Sequence, residues 1–251
     1  MTGTQMSEEL IELRGRMRRF IDDVVIPVER LDHDEHGFPA ERLADLRRQT
    51  KAAGLFAPQL PREYGGLGVE TLGMCLLFEE AGRSPVGPLA LHCAAPDEGN
   101  MHLLLRAATP AQRERYLTPL ARAETRSCFA MTEPAPGAGA DPTMLRTRAE
   151  RRGGRWVING HKWFTSGARG AAFAIVAAVT DPSVPAKNGV TLFLVDAGTP
   201  GFTILRDVPT MTGAGQGGHC EVLFRECDSQ RPDPLLVIIG CTAWSGRDGD
   251  R

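Results

Sequence analysis

The sequence predicts an α+β chain: an N-terminal all-helical domain followed by an antiparallel β-barrel-like domain. Three observations carry this. Apolar residues recur at three- and four-residue steps up to about Glu124, and from Ser127 onward the period falls to about two. A third is that no repeat or low-complexity stretch interrupts either half, and the link between them is short. The expected divisions are 1–122, helical; 123–227, β-rich; and 228–251, an atypical tail.

Leu10, Leu13, Met17, Phe20, Val24, Val28 and Leu31 trace one buried helical stripe, with Pro27 as a kink or stop. A second helix runs from about Pro39 to Gly54, since Pro suits the first turn and Gly the position past the last. The loop "APQLPREYGGLG" breaks the pattern, which resumes through "ETLGMCLLFEEAGR" and "PLALHCAAPDEGNMHLLLRAA". Thr109 and Gln112 form a capping-box pair that opens a final helix. Strands are expected at about 127–132, 143–150, 155–166, 171–180, 190–196, 202–206 and 219–226. Gly153-Gly154 supplies a hairpin turn, and "RTRAERRGGR" around it reads as a solvated hairpin rather than a phosphate patch.

At 251 residues, 42% hydrophobic and 24% charged, the chain is long enough to bury a sizeable core. A net charge of -2 gives no electrostatic reason to expect nucleic acid or a membrane surface as partner. Cys75, Cys93, Cys128, Cys220, Cys227 and Cys241 form no C-x-x-C pair and read as reduced core residues. The start "MTGTQMSEEL" lacks a signal region and "AAFAIVAAV" is too short to span a bilayer, so a soluble, cytoplasmic chain is expected.

The most informative stretch is Phe129 to Gly167, where "FAMTEPAPGAGAD" is followed by "RWVINGHKWFTSGA". The first segment runs an apolar strand into a turn rich in Pro and Gly, so strand-end backbone faces a ligand. In the second, Trp163 and Thr165 share strand parity, which would place an indole and a hydroxyl on one face toward a flat ring. These residues resemble the acyl-CoA dehydrogenase family, in which "MTEP", a Gly-rich turn ending in Asp, and "W-x-T" surround FAD. The resemblance runs from about Glu8 through Glu226 and includes "APQLPREYGGLG" and "GHCEVLF".

The resemblance implies α,β-dehydrogenation of an acyl-CoA thioester, with a carboxylate removing the α-proton and the β-hydrogen leaving as hydride to the flavin. Phe129, Met131 and Thr132 would contact its pyrimidine end, Thr165 the ring edge, and Trp163 the face away from substrate, with Phe164 and Ser166 steadying the strand. Gly139, Ala140 and Asp141 would meet the CoA part of the substrate. This chain has Ala140 where the family commonly has Ser, and an Ala135-Pro136 insertion lengthens the turn. Losing that hydroxyl contact removes on the order of 1 kcal/mol. The catalytic base belongs, by resemblance, to a helical C-terminal domain, so no catalytic residue is named. Electron-transfer flavoprotein or a similar acceptor is the implied redox partner, with homo-oligomer formation or pairing with a paralogue. After Glu226 the resemblance stops abruptly, as a frameshift or truncated reading frame would leave it; translation of the other frames tests this.

Other motifs read plainly. "GAGQGG" at 213–218 precedes a strand, not the helix a dinucleotide-binding turn requires. His33 and His36, with Asp32, Asp34 and Glu35, lack a completing ligand and read as a solvated helix end, so no metal is expected. His161 and His219 read as ordinary strand residues, and Glu133 as a hydrogen-bonded carboxylate fixing the turn before Pro134. The alternative function is a non-catalytic FAD- or CoA-binding remnant or subunit. A weaker one is a related flavoprotein such as an acyl-CoA oxidase or nitroalkane oxidase.

Overall fold

A computed structural model describes residues 6–29, 37–139, 141–211 and 216–228. The chain forms two compact units: Met1–Arg106 with Pro110–Thr125, and Ala107–Thr109 with Arg126–Arg251. The Asp32–His36 cluster, Ala140, the first half of "GAGQGG" and the tail from Ser229 lie outside the described residues.

In the helical unit, α1 (Glu8–Phe20) is capped by Ser7, whose hydroxyl accepts from the Leu10 amide at 3.2 Å. A π turn (Ile21–Val25) leads into α2 (Ile26–Glu29). The fully buried residues are Met17, Ile21 and Val25, whereas the expected Phe20, Val24 and Val28 are only partly buried. The wider turn rotates the stripe by one residue, and the helix runs through Pro27 where an α-helical amide bond is already forgone. Next, α3 (Ala40–Ala52) has Gly54 at φ +65 just past its end, as expected, while Pro39 is its N-cap, one position before the first turn expected for it. Then come α4 (Thr71–Ala81), α5 (Gly87–Ala90) and α6 (Asp97–Ala107). The run from Pro88 to Ala108 is therefore two helices, not one. His92, at φ 57, leaves the helix and its Nε2 donates to the Leu120 carbonyl at 2.7 Å, while its ring stacks on Phe56. After α7 (Pro110–Gln112), a π turn and α8 (Thr118–Ala121) complete the unit.

The second unit is one seven-stranded sheet: β1 (Ser127–Ala130), β2 (Arg148–Arg152), β3 (Arg155–Ser166), β4 (Phe173–Val179), β5 (Val190–Asp196), β6 (Phe202–Asp207) and β7 (His219–Asp228), with α9 (Ala186–Gly189) before β5. It is mixed rather than purely antiparallel, because β1 and β2 both run parallel to β4. They occupy successive stretches of the same β4 edge: β1 opposite Phe173 to Val176, β2 opposite Val179. The chain between Ala130 and Arg148 thus leaves the sheet at a gap in one edge and returns to it further along. The expected strand start near 143 is instead a 3-10 turn (Pro142–Met144) capped by Asp141.

The hairpin β2–β3 closes through Gly153 and Gly154, both at positive φ, as a two-residue turn requires. Its arginines are exposed and pair with Glu150, Glu226 and Asp228, the solvated hairpin expected. Cys128, Ile158, Val176, Phe193, Val222 and Phe224 lie in the core. Of the five described cysteines only Cys75 is exposed, and none is in a disulfide. Among the described residues no helix is long and apolar enough to cross a membrane, and no cluster could hold a metal ion.

Candidate functional site

Phe129, Met131, Thr132 and the run Trp163–Thr165 lie where β1 leaves the sheet beside β3. Phe129 pairs with Ile175 within β1 and is half-buried. Thr132, two residues past the strand, accepts through its carbonyl from the Trp163 amide at 3.0 Å, so the exit of β1 is tied to β3. The Met131 carbonyl accepts from Lys162 Nζ at 2.9 Å.

Strict alternation along β3 does not hold at the motif. Lys162 stands opposite Val222 and Thr165 opposite Cys220, so three steps on β3 answer two on β7. The extra residue is absorbed at Phe164, which takes the left-handed φ of 48, is 43% exposed and sets its ring edge-on to Trp163. A bulky residue in that conformation is strained. The bulge puts Thr165 on the inward face shared by Lys162, Val222 and Cys220, while Trp163 lies within the bulge, where strict alternation no longer assigns its face.

Seven buried side-chain polar atoms lack a hydrogen-bond partner among the described residues, and two of them are Trp163 Nε1 and Thr165 Oγ1. Each such atom costs about 1–3 kcal/mol unless something satisfies it. Two of them within three residues of β3, beside the β1 exit, fit a flat heteroaromatic group with polar edges, the chemistry of a flavin ring.

Glu133 is central to this arrangement. One oxygen accepts from the Thr147 amide at 2.8 Å, the Thr147 hydroxyl at 2.6 Å and Lys162 Nζ at 2.9 Å. The other accepts from the Arg146 amide at 2.8 Å and the Ala138 amide at 3.3 Å. Burial pushes this carboxyl up, but the Thr147 hydroxyl, the Lys162 ammonium and the Arg146 amide together hold it below the usual carboxylate range. Burial likewise pulls Lys162 down, to about 8, against the opposing pull of Glu133. The expected role of Glu133 as a bonded carboxylate is what the geometry gives. The sequence does not single out Lys162, because β3 mixes polar and apolar residues along its length and nothing in that pattern marks one lysine as buried.

The Gly-rich turn is fixed from the same side. Glu133 and Gly139 exchange backbone hydrogen bonds at 3.4 and 3.1 Å, and Gly139 takes φ +53. A Cβ on Gly137 would sit 2.6 Å from Glu133 Oε2, so the carboxylate needs glycine there. Asp141 is exposed and turned back onto Thr143, accepting from its amide at 2.9 Å and its hydroxyl at 2.7 Å. The two histidines hold β3 to β7: His161 Nε2 lies 2.7 Å from Glu221, and His219 Nδ1 lies 2.7 Å from Ser166 Oγ. Gln216–Gly218 lead into β7, a strand, as expected of a glycine run that is not a dinucleotide turn. A cavity of about 740 Å³ lies in the helical unit, between the start of α1 and the loop Gly66–Glu70, and none of its lining belongs to this motif.

Comparison with known proteins places these features in one family. The acyl-CoA dehydrogenase N-terminal-domain model matches residues 7–124 and the middle-domain model residues 128–227. The acyl-CoA dehydrogenase-type protein FadE2 of Mycobacterium tuberculosis is 37% identical over 228 residues, 86% of this chain and 55% of its own length. Mitochondrial isovaleryl-CoA dehydrogenase of Pongo abelii is 30% identical over 237 residues, covering 94% of this chain and 53% of its own. A solved structure of an acyl-CoA dehydrogenase-type protein from Mycobacterium abscessus superposes with a TM-score of 0.81 at 36% identity, over 89% of this chain and 59% of that one. This chain spans little more than half the length of these relatives. With the N-terminal and middle domains present in order and matched across both units, the chain belongs to the acyl-CoA dehydrogenase family.

Proposed function

We propose that this chain supplies the flavin-facing part of an FAD-dependent oxidoreductase site acting on an acyl-CoA thioester. The observation that carries the reading is the pair of buried, unpartnered polar atoms, Trp163 Nε1 and Thr165 Oγ1, beside the tethered exit of β1. When bound, FAD supplies the two-electron acceptor for α,β-dehydrogenation. Thr165 offers one hydroxyl to the cofactor edge, Trp163 an indole, and Phe129, Met131 and Thr132 the end of β1. Fixed donors at a site that gains negative charge stabilise it without reorganising, which is the contribution a rigid strand end makes. Gly139, Ala140 and Asp141 face the CoA portion of the substrate in this reading.

Glu133 does not serve as the base. Its oxygens are committed to three amides, a hydroxyl and an ammonium, which holds it ionised and out of reach of a substrate proton. Removal of the α-proton is assigned to a carboxylate outside the matched motifs. An electron-transfer flavoprotein or a similar acceptor would take the electrons onward. The cytoplasmic setting in this reading rests on cysteine use, since Cys93, Cys128, Cys220 and Cys227 are buried and in no disulfide.

The test is a visible spectrum of the purified chain after incubation with FAD and desalting, followed by anaerobic acyl-CoA. Retained flavin supports the site. Bleaching on acyl-CoA supports the dehydrogenase reading, while retention without bleaching favours the non-catalytic binding role. A chain that comes off the column colourless counts against both.

A further inference from the structure

Four separate segments meet at one buried ion pair. Lys162, on β3, is fully buried and Glu133 is 3% exposed, with Nζ and Oε1 2.9 Å apart. Lys162 also reaches back to the Met131 carbonyl, the end of β1. Glu133 gathers the Ala138 amide from the Gly-rich turn and the Arg146 and Thr147 amides from the chain entering β2. The packing leaves no slack around it: Gly137 has no room for a Cβ beside Glu133, and a Cβ on Gly160 would collide with the Thr147 side chain. Neither charged group reaches the surface.

Burying an ion pair is a poor way to gain stability, because desolvation offsets most of the attraction. What such a pair does supply is direction. A carboxylate with five donors and an ammonium with two acceptors specify angles that apolar packing leaves free. Among these groups, the Met131 carbonyl and the Ala138 amide belong to the two stretches that, on the reading above, carry the flavin contacts and the CoA-facing turn.

We infer that Glu133 and Lys162 are positioning residues that lock the flavin-facing strand ends and the CoA-facing turn to each other, so that both sets of contacts hold or loosen together. This rests on the flavin-site reading. The locking itself is a property of the chain that is measurable without cofactor, so failure of one is separable from failure of the other.

The experiment compares the wild-type chain with the charge-neutral double variant Glu133→Gln/Lys162→Met and with Thr147→Val, which removes only the hydroxyl contact to Glu133. Amide hydrogen exchange is read at Ala138, Arg146, Thr147 and Trp163, with Ala177 and Val195 in the β4–β5 pair as internal controls, and FAD and free coenzyme A are titrated by calorimetry. In the double variant the four amides should exchange at least ~10-fold faster as a group while the controls keep their protection, as expected of one local opening unit. Thr147→Val should shift the same four amides by roughly 3-fold, which keeps the test decisive if the double variant does not fold. Kd should rise about 10-fold for both ligands in the double variant, the size of effect a displaced contact shell produces. Wild-type exchange at these amides, acceleration confined to one segment, or a folded double variant with unchanged Kd for both ligands would overturn the inference. If the four amides loosen together but the wild-type chain takes up no FAD, the locking stands and the flavin reading falls.

Discussion

The two units each bury a glutamate, and they hold it in opposite ways. Glu80, on α4, accepts from Arg14 Nε at 2.7 Å and from Arg18 Nε and a terminal nitrogen at 2.9 and 2.8 Å. Those arginines come from α1 and remain 29% and 54% exposed. Glu133 is held by three backbone amides, a buried hydroxyl and a fully buried lysine. Both carboxyls lie below their usual range, Glu80 chiefly through its bond to Arg18 against the cost of burial, Glu133 through several donors that together outweigh its burial. The first staples two helices with long side chains that water can replace. The second sets the path of a loop through its backbone amides.

The strongest way to break this comparison is to remove the cation from each. Lys162→Met leaves Glu133 charged and unpaired in the core and should destabilise the chain by about 3–5 kcal/mol in urea unfolding. Arg18→Ala should cost clearly less, because Arg14 stays at 2.7 Å and solvent reaches the vacated side. Equal losses in the two variants would mean that the staple and the loop anchor are the same kind of interaction.

Acid sharpens it next. Burial, with Arg47 adding to it, holds His92 down to about 4 against an ordinary value of 6.5. Between those values the unfolded chain binds more protons than the folded one, so stability falls as pH falls from 6.5 toward 4. The loss approaches about 3 kcal/mol at most. The two depressed carboxyls act in a lower window, contributing stability above their ordinary 4.5 that is lost as pH falls through their folded values. His92→Asn should flatten the upper part of the stability-against-pH curve and leave the lower part. A curve unchanged in shape would remove His92 as its cause.

Two glycines give the smaller effects. Gly137→Ala pushes a methyl group against Glu133 and should cost about 1–3 kcal/mol, as overpacking does, with weaker FAD retention as a second readout. Gly139→Ala meets no atom within 4 Å and suffers only its left-handed φ of +53, so about 1 kcal/mol is expected. If Gly139→Ala proved the worse of the two in thermal melts, the turn would be limited by backbone strain and not by the carboxylate.

The sequence carried much of this. Periodicity located the helices and strands, because the face that is buried must repeat with the pitch of its element: α3 begins at Ala40 and β3 runs from Arg155 to Ser166, where they were expected. The order of "MTEP" and "W-x-T" identified the family, since spacing along a chain is a sequence property. It misjudged places where one residue is added or a ring turns back. The π turn Ile21–Val25 moved a stripe by one position, His92 broke a helix by bonding to Leu120, and the bulge at Phe164 moved Thr165 to the inner face.

What the sequence determined by itself is therefore the α+β class and the family. Only the tertiary structure decided that Lys162 answers Glu133 across 29 positions of chain, that β1 and β2 share one edge of β4, and that Trp163 Nε1 and Thr165 Oγ1 stay buried without partners. The reason is physical: a period reports which face of an element is buried, whereas a hydrogen bond between distant segments depends on register, and register is settled only when the sheet closes.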